Sequence, residues 1–119
     1  MKKWIVAAVV ACVFAACDSG GGFLPEGAVE VTENRVNDFR GPSGAFYDMR
    51  TYVVPFEQPY YITVSSARRV LAFERAGRAA SAAAAAYIQS RGCDGPISRL
   101  SSQDRFDSAN EVWTIVISC

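Results

Sequence analysis

The chain contains no histidine, so the commonest general base and the commonest nitrogen ligand for metals are both missing from its inventory. Chemistry would have to come from carboxylates, serines, tyrosines, arginines or thiols. Asp104, Asp107 and Glu111 surround a turn, but their spacing does not match a calcium-binding loop, and they read as a solvated turn. No nucleophile elbow and no phosphate-cradling glycine loop is present. Of the four cysteines only Cys93 and Cys119 lie outside the amino-terminal region, and two thiols without histidine fall short of the four ligands of a structural zinc site. Neither a metal nor an organic cofactor is expected, and the inventory points away from an enzyme. Two constellations suit binding instead. Phe56, Tyr60 and Tyr61 lie around two prolines as an aromatic loop, the residue types that dominate contact patches. Arg68, Arg75 and Arg78 recur with helical spacing as an exposed row able to hold carboxylate or phosphate groups, although a solvated helix face is the plainer reading of the same residues.

At the amino terminus, Lys2 and Lys3 precede an apolar run from Trp4 to Ala16, the charge and hydropathy pattern of a signal peptide. The run is shorter than the ~20 residues that a helix needs to cross a hydrocarbon core. Val13-Phe14-Ala15-Ala16-Cys17 resembles the lipobox of bacterial lipoproteins. Val9-Val10-Ala11-Cys12 fits the same box, but cleavage there would leave a very short apolar region. The resemblance implies removal of residues 1–16, a diacylglyceryl group on the Cys17 sulfur and an acylated new terminus. Asp18 directly after that cysteine resembles the signal that retains lipoproteins in the inner membrane of enteric bacteria, which gives a slight preference for that membrane over the outer one. Residues 17–27, with Asp18-Ser19-Gly20-Gly21-Gly22 and Pro25, read as the lipidated cysteine and a flexible tether. Phe23 and Leu24 interrupt it and are free either to touch lipid or to dock on the domain.

Cleavage would leave 103 of the 119 residues, enough for one small domain over 28–119. Both lysines leave with the signal, so the 12 basic residues fall to 10, all arginine, against 12 acidic ones, a formal charge of −2. A near-neutral domain without a basic block is a poor partner for nucleic acid. With Cys12 removed and Cys17 lipidated, Cys93 and Cys119 remain. In an oxidising compartment they are expected to pair.

The elements that position these residues are legible in outline. Ala28 to Val36 has an edge-strand pattern, Gly41-Pro42-Ser43-Gly44 is a loop, and Ala45 to Val54 alternates as a strand with Tyr47, Met49, Thr51 and Val53 on one face. Pro55 and Pro59 force a turn, and Tyr60 to Val64 resumes as a strand, completing a hairpin. Ser65 or Ser66 offers an N-cap for a long alanine-rich helix to about Arg91, with Gly92 suited to a left-handed C′ position. Val70, Phe73, Gly77, Ala80, Ala84, Tyr87 and Ile88 share one helical face, with Arg68, Arg75 and Arg78 opposite. Ser66-Ala67-Arg68-Arg69 resembles the opening of the helix in OmpA-like peptidoglycan-binding domains, but the segment that supplies that family's ligand aspartate has no counterpart, so its binding function is not implied. Ile97 to about Phe106 alternates weakly, and Glu111 to Ser118 reads as a central strand with Trp113, Ile115, Ile117 and Cys119 on one face.

These features give an α+β fold, a small antiparallel sheet with one long helix on one face and one disulfide. The implied function is that of a lipid-anchored protein of the bacterial cell envelope with a structural or partner-binding role, held to the membrane through Cys17 and facing another envelope protein. A small-ligand or glycan binder using the aromatic loop is the alternative, and a hydrolase a third.

Overall fold

The computed structural model describes residues 23–66 and 73–119. Cys17, Arg68 and Val70 lie outside those residues. Seven strands, all paired antiparallel, form one sheet: β1 (Val29–Glu30), β2 (Val36–Arg40), β3 (Phe46–Val53), β4 (Tyr60–Ser66), β5 (Ser98–Arg99), β6 (Arg105–Asp107) and β7 (Val112–Ser118). Among the described residues one α-helix, α1 (Gly77–Gln89), follows a 3-10 turn over Phe73–Ala76. The fold is α+β and dominated by its sheet.

β3, β4 and β7 are the long central strands, and their composition explains why. Each is rich in β-branched and aromatic residues, which fit a pleated surface covered on at least one side. β4 lies between the other two, with Ile62 opposite Thr51 on β3 and Ile115 on β7. Both edges of this three-stranded centre are broken strands. β1 and β2 pair with successive parts of β3, and β5 and β6 pair with successive parts of β7. Each break contains a 3-10 turn, Thr32–Asn34 on one edge and Ser101–Gln103 on the other. Short interrupted edges offer little unpaired backbone to another chain.

Backbone polar groups in the breaks are met individually. On the first edge the Val31 N–H donates to the Thr51 carbonyl. Asp38 adopts φ 58° at an irregularity between Val36 and Phe39, and its N–H donates to Asp48 Oδ1. On the second edge the Leu100 N–H donates to the Val116 carbonyl, and the Val116 N–H donates to Asp104 Oδ1. A side-chain carboxylate thus replaces the ladder carbonyl that an unbroken strand would have supplied.

The core lies between α1 and the face bearing Tyr47, Met49, Ile62, Val64, Ile115 and Ile117. Ala80, Ala83, Ala84, Tyr87 and Ile88 are the helix's contribution, and the small alanines bring its backbone close to the strands. Tyr87 is fully buried, so its hydroxyl needs partners. It donates to the Asn34 carbonyl and accepts from Thr51 Oγ1 at 2.6 Å, because its one proton is already committed. Burial pushes the Tyr87 hydroxyl above its ordinary range, against the lowering effect of the Thr51 hydrogen bond. The second face of the sheet is also well covered, with Tyr52, Thr63, Thr114 and Val116 buried. The Phe23 N–H donates to Thr114 Oγ1 at 3.1 Å, which sets the start of the described chain on that face, with Leu24 half-buried.

The Cys93 and Cys119 sulfurs are at disulfide distance, 2.01 Å, with Cα atoms 5.6 Å apart. The bridge joins the exit of α1 to the end of β7, as the sequence predicts. Four local expectations are corrected. Ser65 and Ser66 are not a helix cap: they extend β4, pairing with Asp48 and Tyr47, because hydrogen bonding to β3 continues beyond Val64. The helix is therefore shorter, beginning at Gly77. Gly92 is not left-handed; the N–H groups of Arg91, Gly92 and Cys93 all converge on the Ile88 carbonyl and close the helix without that conformation. Its lack of a side chain serves packing instead, since a Cβ there would come within 3.0 Å of the Tyr60 hydroxyl. Finally, the region 97–106 is two short strands separated by a 3-10 turn, and 28–36 is likewise interrupted.

Candidate functional site

The aromatic loop does not form a three-ring patch. Tyr60 and Tyr61 are consecutive strand residues, so they point to opposite faces of the sheet. Tyr60 is half-buried against the core, and its hydroxyl donates to the Gly92 carbonyl at 3.1 Å. Tyr61 lies opposite Tyr52 and Val116 in the sheet. Only Phe56 is fully exposed, at a turn where it holds φ 67°. Phe56 and Tyr60 share an open depression of about 330 Å³ with Val53, Val54, Glu57 and Gln58. That depression presents one free ring, and two of its polar side chains are engaged within the fold, Tyr60 with the Gly92 carbonyl and Gln58 with the Cys119 N–H.

The carboxylates also separate. Asp107 accepts from the N–H groups of Ala109 and Asn110 and from Asn110 Nδ2, holding the turn before β7. Glu111 is exposed with φ 56°. Asp104 is half-buried and tied to β7 through Val116. Burial pushes its carboxyl above the ordinary range, and the Val116 N–H, Arg99 and Arg105 counter only part of that rise.

Arg75 and Arg78 are exposed as the helical spacing predicts, but the structure gives Arg78 a different set of neighbours from the row read along the helix. Arg78 and Ser81, three residues apart, occupy one face of α1. They share a groove with Arg99 at the end of β5, Ser101 in the following 3-10 turn and Asp104. Together with Gly77 and Trp113 these residues line a groove of about 610 Å³. The break in the edge strand supplies one side of this groove: β5 ends at Arg99, β6 begins at Arg105, and Ser101 and Asp104 come from the interval between them.

Trp113 forms the apolar part of the wall. Its ring lies against Gly77, where a Cβ would come within 2.7 Å of Cζ2. Its indole N–H donates to the Phe73 carbonyl at 3.0 Å, and its ring packs on Phe106 with centroids 5.2 Å apart. Ser81 is only 2% exposed, and its Oγ is buried without a hydrogen-bond partner. A buried hydroxyl with no partner costs roughly 1–3 kcal/mol, and a helical serine ordinarily avoids this by bonding back to the preceding turn. Among the described residues, the one ion pair within 4.0 Å is Arg35 with Glu30, on the opposite edge of the sheet. Arg78 and Arg99 therefore make no ion pair within 4.0 Å among the described residues, although Arg99 acts on Asp104 from a longer distance.

Of the groove residues, the sequence singled out Arg78 for binding and Asp104 only as part of a solvated turn. Arg99, Ser81 and Ser101 carry no local signal, since isolated residues of these types are commonplace on surfaces. What assembles them is the register of β5 and β7 against α1. Compared with protein-family models, curated proteins and solved structures, the chain matches none.

Proposed function

We propose that this chain is a lipid-anchored protein of the bacterial cell envelope whose disulfide-bridged α+β domain binds a partner outside the cytoplasm. The observation that carries the proposal is the sequence Val13-Phe14-Ala15-Ala16-Cys17 behind Lys2-Lys3 and an apolar run. The Cys93–Cys119 pair supports it, because a persistent disulfide belongs to an oxidising compartment. Among the described residues no helix is long and apolar enough to cross a membrane. Cys17 would supply the attachment, with Asp18 favouring the inner membrane over the outer. The partner would be another envelope protein, met by the surface of a domain whose charge is close to balanced.

The test is processing and fractionation. The native chain is expected to sediment with membranes and to show an acylated Cys17 as its first residue by mass spectrometry. Cys17→Ser is expected to release it or leave it unprocessed. A mature terminus at any other residue would refute the anchor, and recovery of the native chain in the outer membrane would refute the choice of membrane.

A further inference from the structure

The groove lined by α1 and the broken edge strand carries two arginines against one carboxylate, Asp104, which Arg99 reaches electrostatically without an ion pair. Arg78 and Arg99 line it from two different elements with no carboxylate within 4.0 Å, and Ser81 buries a hydroxyl that has no partner among the described residues. Ser101 adds an exposed hydroxyl at the rim. Guanidinium groups from two different elements can grip a planar anion from both sides, and such charge-assisted bonds are the strong ones.

The fourth polar side chain narrows the class of anion. Asp104 Oδ1 accepts the Val116 N–H, which leaves Oδ2 as an acceptor on a residue that lines the same groove. A dianion would have to sit beside that carboxylate. A monoanion with a hydrogen-bond donor a few ångströms away would instead satisfy both signs. The end of a peptide has this combination, a carboxylate followed by an amide N–H. Trp113 and the bare backbone at Gly77 offer an apolar wall for the last side chain. A volume of about 610 Å³ is in the range that holds small ligands or chain ends.

We propose that this groove binds the carboxylate end of a peptide chain, with Arg78 and Arg99 holding the carboxylate, Ser81 supplying a hydroxyl and Asp104 accepting the adjoining N–H. The proposal stands on the groove alone. It fails or survives independently of the anchor at Cys17, which is tested by processing.

The experiment uses the full chain in detergent with Trp4→Phe, so that Trp113 is the one remaining tryptophan. N-acetyl-Ala-Ala as the free acid, the same peptide as its C-terminal amide, and inorganic phosphate are titrated while Trp113 fluorescence is followed. The free acid is expected to give a saturable change, with the amide and phosphate at least ~10-fold weaker, the loss typical of a missing charged hydrogen bond. Arg78→Gln and Arg99→Gln are each expected to weaken the free acid by ~10-fold or more, whereas Arg75→Gln, exposed in the 3-10 turn before α1 and outside the groove, leaves it unchanged. Melting curves confirm that these exposed-residue variants fold. Ser81→Ala separates binding from structure: it is expected to weaken the peptide several-fold while keeping or raising the melting temperature, because an unsatisfied hydroxyl is removed. No saturable change with the free acid overturns the proposal. So does amide or phosphate binding as tight as the acid, or an Arg78→Gln/Arg99→Gln double variant that binds like the parent chain.

Discussion

Replacing Gly77 with alanine sets local helix propensity directly against tertiary packing. Gly77 is the first residue of α1, and at a helical position Gly→Ala gains up to about 1 kcal/mol. The structure predicts the opposite sign. A Cβ at 77 would lie 2.7 Å from Trp113 Cζ2 and 2.9 Å from Cη2, distances at which something must move. The ring has little freedom to do so, since its N–H is bonded to Phe73 and its face is packed on Phe106. Overpacking of this kind costs roughly 1–3 kcal/mol, so Gly77→Ala is expected to destabilise the chain by about 1 kcal/mol net. The decisive comparison is the same change in a Trp113→Phe background. Phenylalanine lacks the two clashing atoms, so there Gly77→Ala should stabilise by up to about 1 kcal/mol, a coupling of about 2 kcal/mol between the sites. Chemical denaturation of all four chains with the disulfide intact measures the cycle. A stabilising Gly77→Ala in the parent chain, or a coupling below about 0.5 kcal/mol, would refute the contact as the reason for glycine here.

Three further outcomes follow from the structure. Cys119→Ser opens a loop with a sequence separation of 26, worth about 3.5 kcal/mol on the chain-entropy estimate, and is expected to lower the melting temperature by about 15 °C or more; a fall of under about 5 °C in calorimetry would contradict it. Tyr87→Phe removes the hydroxyl that joins Thr51 to the Asn34 carbonyl and is expected to cost about 1–3 kcal/mol, with faster amide exchange around Thr32–Asn34 as its local signature. Asp104→Asn keeps an acceptor for the Val116 N–H but removes a charge that burial disfavours. The Asp104 carboxyl titrates higher folded than unfolded, so ionising it costs stability as pH rises from its ordinary value of 3.8 through the raised one. The variant should therefore gain on the parent chain between pH 3 and pH 7 in thermal melts, and a gap that shrinks over that interval would show the sign to be wrong.

Periodicity and composition determined a good deal about this protein. Alternation in Phe46–Val53 and Val112–Ser118 specifies strands whose inward residues, Tyr47, Met49, Ile115 and Ile117, are the ones found in the core. The helical recurrence of Ala80, Ala84, Tyr87 and Ile88 specifies the buried face of α1 just as directly, and the last two cysteines do meet. These are properties of the chain's own repeat, 2 residues in a strand and 3.6 in a helix, and need no knowledge of partners. Where elements stop is another matter. Ser65 and Ser66 are good helix caps in isolation, yet they remain in β4 because β3 offers them continued pairing. The edge strands break at Thr32–Asn34 and Ser101–Gln103 because Tyr87 and Asp104 satisfy backbone groups from a distance, a provision no window of neighbouring residues contains. The groove is the extreme case. Arg78 and Arg99 are 21 positions apart, and Ser81 has no hydrogen-bond partner among the described residues. Single charges and hydroxyls carry no period, so only the packing of α1 against the broken edge decides that these belong together.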